Sequence, residues 1–368
     1  MKYLLVMVIT IALLFLFSGV LVIDATNDND NPPTSTLLGI SILPPTQFGW
    51  IDVETGRIKA PLLFFTDDYV FQQGLGSWDK QTCLYYTIAQ RLGTAWTGML
   101  ALDPFRQTVA RNITLPFASQ GVLGYGHYIS VDSLTGNVLV VGRSIWQRDQ
   151  NQHVLLSIHS DDSVSVLTKM GDVNTQGELL PGAVTLDTNQ RLLWCLGNWD
   201  ESYAKLIAYN IDNGARIATI TDYPAIISMV FDNRTTDLFG IGIRDDPMQP
   251  VPQIMISLIR VQTAMHLHHE LSLKDFPTYY DILLGIGALD STERILYALL
   301  KLTPGTMQEN VSSKRRLVPY QSIATYKYNV EDDADYVLVG IDVDTATLVY
   351  QANTPCGYSC PGSFVSIF

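Results

Sequence analysis

The strongest constraint on the fold is a repeat of about fifty residues that runs through most of the chain. Short apolar strands alternate with polar turns, and helical periodicity is nearly absent after the first segment. Two kinds of hairpin follow one another. The first kind turns at an aspartate between a glycine-containing strand and a strongly apolar strand, at Asp79, Asp132, Asp187, Asp232 and Asp290. The second kind falls between these hairpins and turns at Asp52, Asp103, His159, Asn210, Arg260 and Asp342.

The two series share one period, which indicates a repeated structural unit. Aspartate and asparagine suit the turns because their side chains accept hydrogen bonds from backbone N–H groups further along the turn. Unrelated hairpins packed in a sandwich would have no reason to keep a common spacing. The chain is therefore predicted to be an all-β repeat protein.

Two hairpins per repeat make a four-stranded antiparallel unit, and such units arranged around an axis are the blades of a β-propeller. Five whole blades can be counted, with the first hairpin as strands A and B and the second as strands C and D. The segment Ser363–Phe368 has the pattern of a further strand A, whereas Leu37–Leu43 and the Asp52 hairpin supply strands B, C and D. The prediction is a six-bladed β-propeller closed by a split blade, made of the C-terminal strand plus three N-terminal strands.

The hairpins at Asp52 and Asp132, each with Thr-Gly after two further residues, and the split closing blade resemble six-bladed propellers of the broad TolB-like and quinoprotein-like repeat class. The resemblance covers nearly all of the chain after residue 36, although several repeats lack the Thr-Gly pair. It implies an architecture. The class includes binding modules, lactonases and other hydrolases, so the resemblance leaves the activity open.

The amino terminus predicts the compartment. Residues 1–25 contain a long uncharged run after Lys2 and are interpreted as a signal peptide or a signal anchor. Residues 26–36 form a linker, and residues 37–368 form a single propeller domain with an inserted loop at 302–335. The protein is expected to be secreted or to lie on the extracellular face of a membrane, touching the membrane only through an uncleaved first segment. We expect a monomer.

Two kinds of residue agree with an oxidising, extracytoplasmic location. N-x-S/T triplets make Asn112, Asn233 and Asn310 candidate glycosylation sites in a eukaryotic host. Cys356 and Cys360 are close enough in sequence for a local disulfide, with a metal clip as the alternative. The other two cysteines, Cys83 and Cys195, are assigned to strand B of different blades and are expected to be buried free thiols.

Composition excludes two classes of protein. With 47% hydrophobic and 16% charged residues, the chain is not intrinsically disordered. A net charge of −13 argues against nucleic acid as a partner, because phosphate binding requires a basic surface.

The favoured function is a binding or interaction module for a glycan, peptide or protein ligand. In a propeller, both hairpin turns of a blade lie on one face, and the longer connections lie on the other. Candidate binding residues in those longer connections are Trp146, Trp199, Asp245 and Asp246. The insertion at 302–335 is interpreted as a lid or a partner-binding loop, with a passive glycosylated loop as the alternative.

The alternative function is a Ca²⁺-dependent hydrolase or lactonase with a carboxylate-lined axial channel. Four acids fall near the expected start of a strand A and could bind the ion: Asp68, Glu178, Asp222 and Asp281. His127 lies on an inner strand and is the candidate general base. Ordinary solvated carboxylates and a hydrogen-bonded channel histidine explain the same pattern. No cofactor is certain, and no nucleophile elbow, zinc or nucleotide motif occurs, which favours the non-enzymatic function.

Overall fold

A computed structural model describes part of the chain in detail. The described residues are 20–21, 37–41, 46–66, 69–91, 93–94, 96–116, 126–143, 153–170, 184–200, 203–223, 228–244, 255–262, 265–272, 280–302, 335–345, 347–352 and 361–367. Within these ranges, no helix has the length and hydrophobicity needed to cross a bilayer.

The described residues form 25 β-strands, which are arranged in six antiparallel sheets. Sheet 1 begins with β1 (Val20–Leu21), β2 (Leu37–Ser41), β3 (Gln47–Asp52) and β4 (Arg57–Phe65). Sheet 2 contains β5 (Tyr69–Asp79), β6 (Leu84–Arg91), β7 (Thr97–Asp103) and β8 (Thr108–Thr114). Sheet 3 contains β9 (Gly126–Val131), β10 (Val138–Arg143), β11 (His153–Ile158) and β12 (Val164–Met170).

The remaining strands continue the same order. Sheet 4 contains β13 (Val184–Asp187), β14 (Leu192–Asp200), β15 (Tyr203–Asn210) and β16 (Arg216–Tyr223). Sheet 5 contains β17 (Ser228–Asp232), β18 (Asp237–Arg244), β19 (Met255–Gln262) and β20 (Met265–Ser272). Sheet 6 contains β21 (Tyr280–Asp290), β22 (Ile295–Leu302), β23 (Asp335–Asp342) and β24 (Thr347–Gln351). The last strand, β25 (Pro361–Ser366), belongs to sheet 1.

Sheets 2 to 6 are four-stranded meanders in which each strand pairs with the next one along the chain. Their first strands lie side by side: β5 contacts β9, β9 contacts β13, β13 contacts β17, and β17 contacts β21. Strand β25 contacts both β5 and β21. This arrangement of similar sheets, with their first strands innermost, confirms the predicted all-β propeller.

Sheet 1 combines the two ends of the described chain in the order β1-β4-β3-β2-β25. Strand β25 pairs antiparallel with β2, so that Leu38 lies opposite Val365 and Ile40 lies opposite Ser363. The sheet differs from the four-stranded expectation by its fifth strand, β1, which pairs with the carboxyl end of β4. The prediction of a signal peptide or anchor over residues 1–25 is not tested by this pairing and stays a prediction.

The hydrophobic core lies between successive sheets. In β10, Val138 and Val140 belong to a buried cluster shared with sheet 2, whereas Leu139 and Val141 belong to a cluster shared with sheet 4. Side chains of a strand alternate between its two faces, so a strand packed on both sides must be apolar throughout. Burial of a valine or leucine side chain contributes about 1.5–3 kcal/mol. The apolar runs of the sequence are therefore explained by packing on both sides.

The hairpin turns use the predicted aspartates. In the turn after β9, Asp132 Oδ1 accepts a hydrogen bond from the backbone N–H of Leu134 (3.2 Å), and Gly136 has a positive φ of 72°. Asp79, Asp103, Asn210 and Asp342 accept equivalent backbone hydrogen bonds two residues further on. Arg260 is different, because it lies inside β19 and the hairpin turn follows Gln262.

The two cysteines that the structure describes are both free thiols. Cys195 is fully buried in the core of sheet 4, as predicted. The prediction was wrong for Cys83, which lies in the turn before β6 with a positive φ of 56° and is only half-buried. It occupies the fifth position of the Asp79 turn, a surface position and not a strand position.

Candidate interaction surface at the loop face

The two ends of the strands form two different surfaces. We call the turn face the end that carries the turn between the first and second strands of each sheet and the turn between the third and fourth strands. We call the loop face the opposite end, which carries the connections between the second and third strands and between successive sheets. These definitions follow directly from the meander topology.

On the turn face, Arg191 connects sheet 4 to sheet 3. It lies four residues after Asp187, with a positive φ of 60°. Its Nη1 donates to Asp132 Oδ1 of sheet 3 (2.6 Å), and its Nη2 donates to Asp212 Oδ1 of its own sheet (2.6 Å). Asp132 is only 2% exposed. Burial would raise its pKa, but hydrogen bonds from Arg191, Thr135 and the Leu134 N–H outweigh burial and hold that pKa below its usual range.

Arg294 occupies the equivalent position in sheet 6, four residues after Asp290, with a φ of 62°. Its guanidinium donates to Asp232 of sheet 5 and to Asp344 Oδ1 of its own sheet (Nη2–Oδ1, 2.7 Å). The carboxylate of Asp237 lies 3.8 Å from the same nitrogen. Asp232 and Asp237 are both 0% exposed, so Arg294 balances two buried acids. The guanidinium charge is what makes their burial tolerable.

The junction between sheets 4 and 5 lacks this arginine, because Thr236 occupies the equivalent position, with a φ of 62°. The turns meet through neutral groups instead: Thr188 donates its N–H and its hydroxyl to Asn233 Oδ1 (2.9 and 2.6 Å). The neighbouring carboxyl of Asp187 is 1% exposed. Burial raises the pKa of Asp187, and hydrogen bonds from Gln190 and Asn189 only partly offset this.

The turn face also holds a pocket of about 350 Å³ in sheet 2, lined by Thr82, Cys83, Leu84, Asp103, Phe105, Arg106 and Ala110. Phe105 is 66% exposed at its margin. Arg111 of the same sheet donates from Nη2 to the backbone oxygen of His159 (2.8 Å) and to Asp162 (2.6 Å) in sheet 3. Arg111, Arg191 and Arg294 of this face thus each join one sheet to the next.

The loop face is described most fully at the connection between β6 and β7 in sheet 2. This connection folds back on itself, since the Arg91 N–H bonds the Trp96 carbonyl (3.2 Å) and the Trp96 N–H bonds the Thr94 hydroxyl (3.2 Å). The Trp96 indole Nε1 donates to Thr114 Oγ1 of β8 (3.1 Å). The connection therefore holds a half-buried tryptophan in one position.

The Trp96 indole packs directly on the backbone at Gly98. A Cβ atom on Gly98 would lie 2.1 Å from Trp96 Cζ2, so the indole can rest on the strand only because residue 98 has no side chain. Aromatic rings surround the indole on the core side. The Tyr69 ring meets it edge to face at 5.9 Å, and Phe65 and Phe71 pack together at 4.7 Å behind Tyr69. Such offset and edge-to-face packing fixes the rings relative to one another.

The predicted binding residues are not described in side-chain detail and stay predictions. Trp146, Asp245 and Asp246 lie outside the described residues, and Trp199 is described only as part of β14. Sequence reasoning missed Trp96. A signal was available, because Trp96 and Trp146 each come after the second strand of a sheet in sequence, and Trp199 lies one residue before the end of the second strand of sheet 4.

The candidates for Ca²⁺ binding and general-base chemistry also stay predictions. Asp68 and Glu178 lie outside the described residues, whereas Asp222, Asp281 and His127 are placed only by their strands, β16, β21 and β9. In the part of the chain that is described, no three His, Cys, Asp or Glu side chains come together as a metal-binding group.

The predicted modification sites are placed in part. Asn112 is exposed on β8, and Asn233 is exposed in the turn after β17. Asn310 and the pair Cys356 and Cys360 lie outside the described residues. Strand β22 ends at Leu302 and β23 begins at Asp335, and the residues between them, where the insertion is predicted, lie outside the described residues.

No protein-family model matches this chain, and no curated protein matches it. Among solved structures, it is similar to TolB from Acinetobacter baumannii, with a TM-score of 0.51 and 10% identity over 89% of this chain and 65% of TolB. The chain thus spans less than two thirds of TolB.

Two further similar structures are propeller domains. One belongs to Cps50 (Swd1) from Myceliophteria thermophila (TM-score 0.43, 12% identity, 77% of this chain and 74% of that one). The other belongs to the Trilobed protease from Pyrococcus furiosus (TM-score 0.41, 8% identity, 76% and 69%). The similarity to TolB shows a shared propeller fold, as the predicted TolB-like resemblance implies, with no specific family.

Proposed function

We propose that this chain is an extracytoplasmic six-bladed propeller that binds a glycan, peptide or protein ligand at its loop face. Three observations support six blades closed by a split blade: the six sheets, the pairing of β2 with β25, and the contact of β25 with both β5 and β21. The long uncharged amino-terminal run and the three N-x-S/T triplets support a location outside the cytosol.

The observation that carries the binding proposal is the geometry of Trp96, which shows how a connection between the second and third strands of a sheet holds an indole at the surface. An indole that is anchored by Thr114, rests on Gly98 and still reaches the surface has lost most of its conformational freedom before any ligand arrives. Rigid aromatic side chains supply contact area at low entropic cost, which is why binding surfaces are enriched in them. Trp146 follows β10 in sequence, before the third strand of sheet 3, and Trp199 lies one residue before the end of β14 in sheet 4, so we expect both to add aromatic surface to the same face.

Charge narrows the class of ligand. The net charge of −13 disfavours polyanions such as nucleic acids and sulfated glycans, because long-range repulsion slows their approach. Neutral glycans and neutral or basic peptides are the ligands that remain. Asp245 and Asp246, which lie between β18 and β19 in sequence, would favour a ligand with hydroxyl or amine donors.

The test compares the two faces with matched aromatic substitutions. The full chain is screened against an array of neutral and sulfated glycans and a library of random displayed peptides. The probes that bind are then measured with the Trp146→Ala/Trp199→Ala variant and with Phe105→Ala on the turn face. We expect at least about tenfold weaker binding in the first variant, as for aromatic hot spots, and unchanged binding in the second. Binding that survives the tryptophan substitutions and is lost in Phe105→Ala would overturn the proposal.

A further inference from the structure

The surface around Asn112 contains the parts of a modification site. Asn112 lies on β8, the outermost strand of sheet 2, and its side chain is exposed. It begins the triplet Asn112-Ile113-Thr114. In the pairing of β7 with β8, Asn112 lies opposite Leu100 and Thr114 lies opposite Gly98. Ile113, between them, is buried on the other face of the strand.

Trp96 is on the same face of the sheet as Asn112. Residues two apart on a strand point to the same side, about 7 Å from each other. Asn112 and Thr114 therefore project together, and the Trp96 indole both bonds Thr114 Oγ1 (3.1 Å) and lies over Gly98, opposite Thr114. The ring is thus one residue pair from Asn112, within reach of a group that extends from the asparagine amide.

We infer that Asn112 carries an N-linked glycan and that its first N-acetylglucosamine packs against the Trp96 indole. Transfer forms a bond between Asn112 Nδ2 and C1 of that sugar and breaks the bond between C1 and a polyprenyl diphosphate donor. The amide nitrogen loses one proton as the diphosphate departs. The C–H groups on one side of a pyranose ring are apolar, so they pack on an aromatic face. The inference rests on the proposed location outside the cytosol.

A glycan on Asn112 would give Trp96 a role different from that of the proposed ligand-binding residues. Trp96 would then receive the chain's own glycan, and the ligand proposed above would bind through Trp146 and Trp199. The glycan would also cover an exposed edge strand whose outward residues include Thr108, Ala110 and Thr114. Unpaired edge strands can pair with other chains, so a bulky hydrophilic group there would oppose association.

The first experiment measures which sequons are occupied. The full chain is expressed in eukaryotic cells that make high-mannose glycans, and glycopeptides are quantified by mass spectrometry. We expect a glycan on Asn112. A chain that carries glycans on Asn233 or Asn310 but none on Asn112 would overturn this inference and leave the proposed location intact. A chain without glycan on any of the three asparagines would overturn both.

The second experiment tests the contact with Trp96. An endoglycosidase trims the glycan to one sugar, and an amidase removes it completely, leaving aspartate. Thermal melting is then compared for the wild type, Trp96→Ala and Gly98→Ala, in which the added Cβ displaces the indole. The Asn112→Gln variant, treated with the same enzymes, measures the background change in melting temperature that comes from glycans on Asn233 and Asn310.

In the wild type, we expect trimming to leave the melting temperature unchanged and complete removal to lower it by about 2 °C. In Trp96→Ala and Gly98→Ala, complete removal should produce only the background change. An equal decrease in the wild type and in both variants would show that the sugar does not use the indole, and would overturn the contact.

Discussion

The turn face and the loop face of this propeller are made by the same strands and differ in what their side chains do. On the turn face, Arg191 and Arg294 each join two sheets through buried aspartates. On the loop face, the described connection presents Trp96 at the surface. The difference teaches that turns of the repeat hold neighbouring sheets together through charged side chains, whereas the described connection at the opposite end presents an aromatic ring.

The same comparison holds within the turn face. Asp132 and Asp232 each receive an arginine from the next sheet, whereas the partners of the equivalent Asp187 among the described residues are neutral. The junctions between neighbouring sheets therefore differ in the strength of their electrostatic contacts. Substitutions at these positions test whether the turn face carries stability that the loop face does not.

The largest effect is expected from Arg294→Ala. Its removal takes the guanidinium away from the buried carboxylate of Asp232, which should lower the free energy of unfolding by about 3–5 kcal/mol. Trp96→Ala, the matched loop-face variant, should cost clearly less because the indole is only half-buried. Urea denaturation measures both. A loss below about 1 kcal/mol for Arg294→Ala would show that the turn face does not depend on this contact.

Smaller changes in the free energy of unfolding are expected at Asp132 and Asp187, which occupy equivalent turns, and the two changes should differ in direction. Asp132→Asn weakens the contact with Arg191 and should cost about 1.5–3 kcal/mol at pH 7, whereas Asp187→Asn should cost nothing or stabilise slightly. The reason is that the pKa of Asp132 is lowered in the folded protein and the pKa of Asp187 is raised.

The contributions of Asp132 and Asp187 to the free energy of unfolding depend on pH with opposite signs. The Asp132 contribution is complete above the usual aspartate pKa of about 4 and is lost as the pH falls through its lowered pKa. Asp187 contributes most when protonated, below its unfolded pKa, and that contribution is lost as the pH rises through its raised pKa. Denaturation of both variants between pH 3 and 7 measures this, and equal changes at the two positions would contradict it.

The smallest change in stability should come from adding an arginine at the junction between sheets 4 and 5. Thr236→Arg places an arginine at the position that Arg191 and Arg294 occupy in sheets 4 and 6, from which it can reach Asp187. We expect a gain of about 0.5–1 kcal/mol. Thr236→Gly is the control, since it relieves the positive φ without adding a charge. Equal stability of the two variants would mean that the arginine adds nothing beyond backbone relief.

Much of the fold could be predicted because each hairpin is local. The aspartates at 79, 132, 187, 232 and 290 mark turns whose hydrogen bonds span only two or three residues, so the pattern is visible in the sequence. Local pattern failed at Arg260, which is a strand residue, and at Cys83, whose place in the turn leaves it half-exposed.

The candidate site was less predictable. The existence of a loop face followed from the repeat, but Trp96 acquires its role from Gly98 and Thr114, which come together only when β7 pairs with β8. A tryptophan in a connection is not distinguishable in sequence from a core residue until its neighbours are known. The proposed contact between a glycan on Asn112 and Trp96 depends on the same strand pairing.

The sequence by itself determined the strands, their grouping into repeated hairpins and the polar residues that close each turn, because these depend on contacts between near neighbours. Only the tertiary structure decided that Arg191 reaches Asp132 and Arg294 reaches Asp232, contacts that span 59 and 62 residues. The same is true of the burial that raises the pKa of Asp187. The physical reason is that these effects arise where one sheet packs on the next, and no local pattern records which side chains meet there.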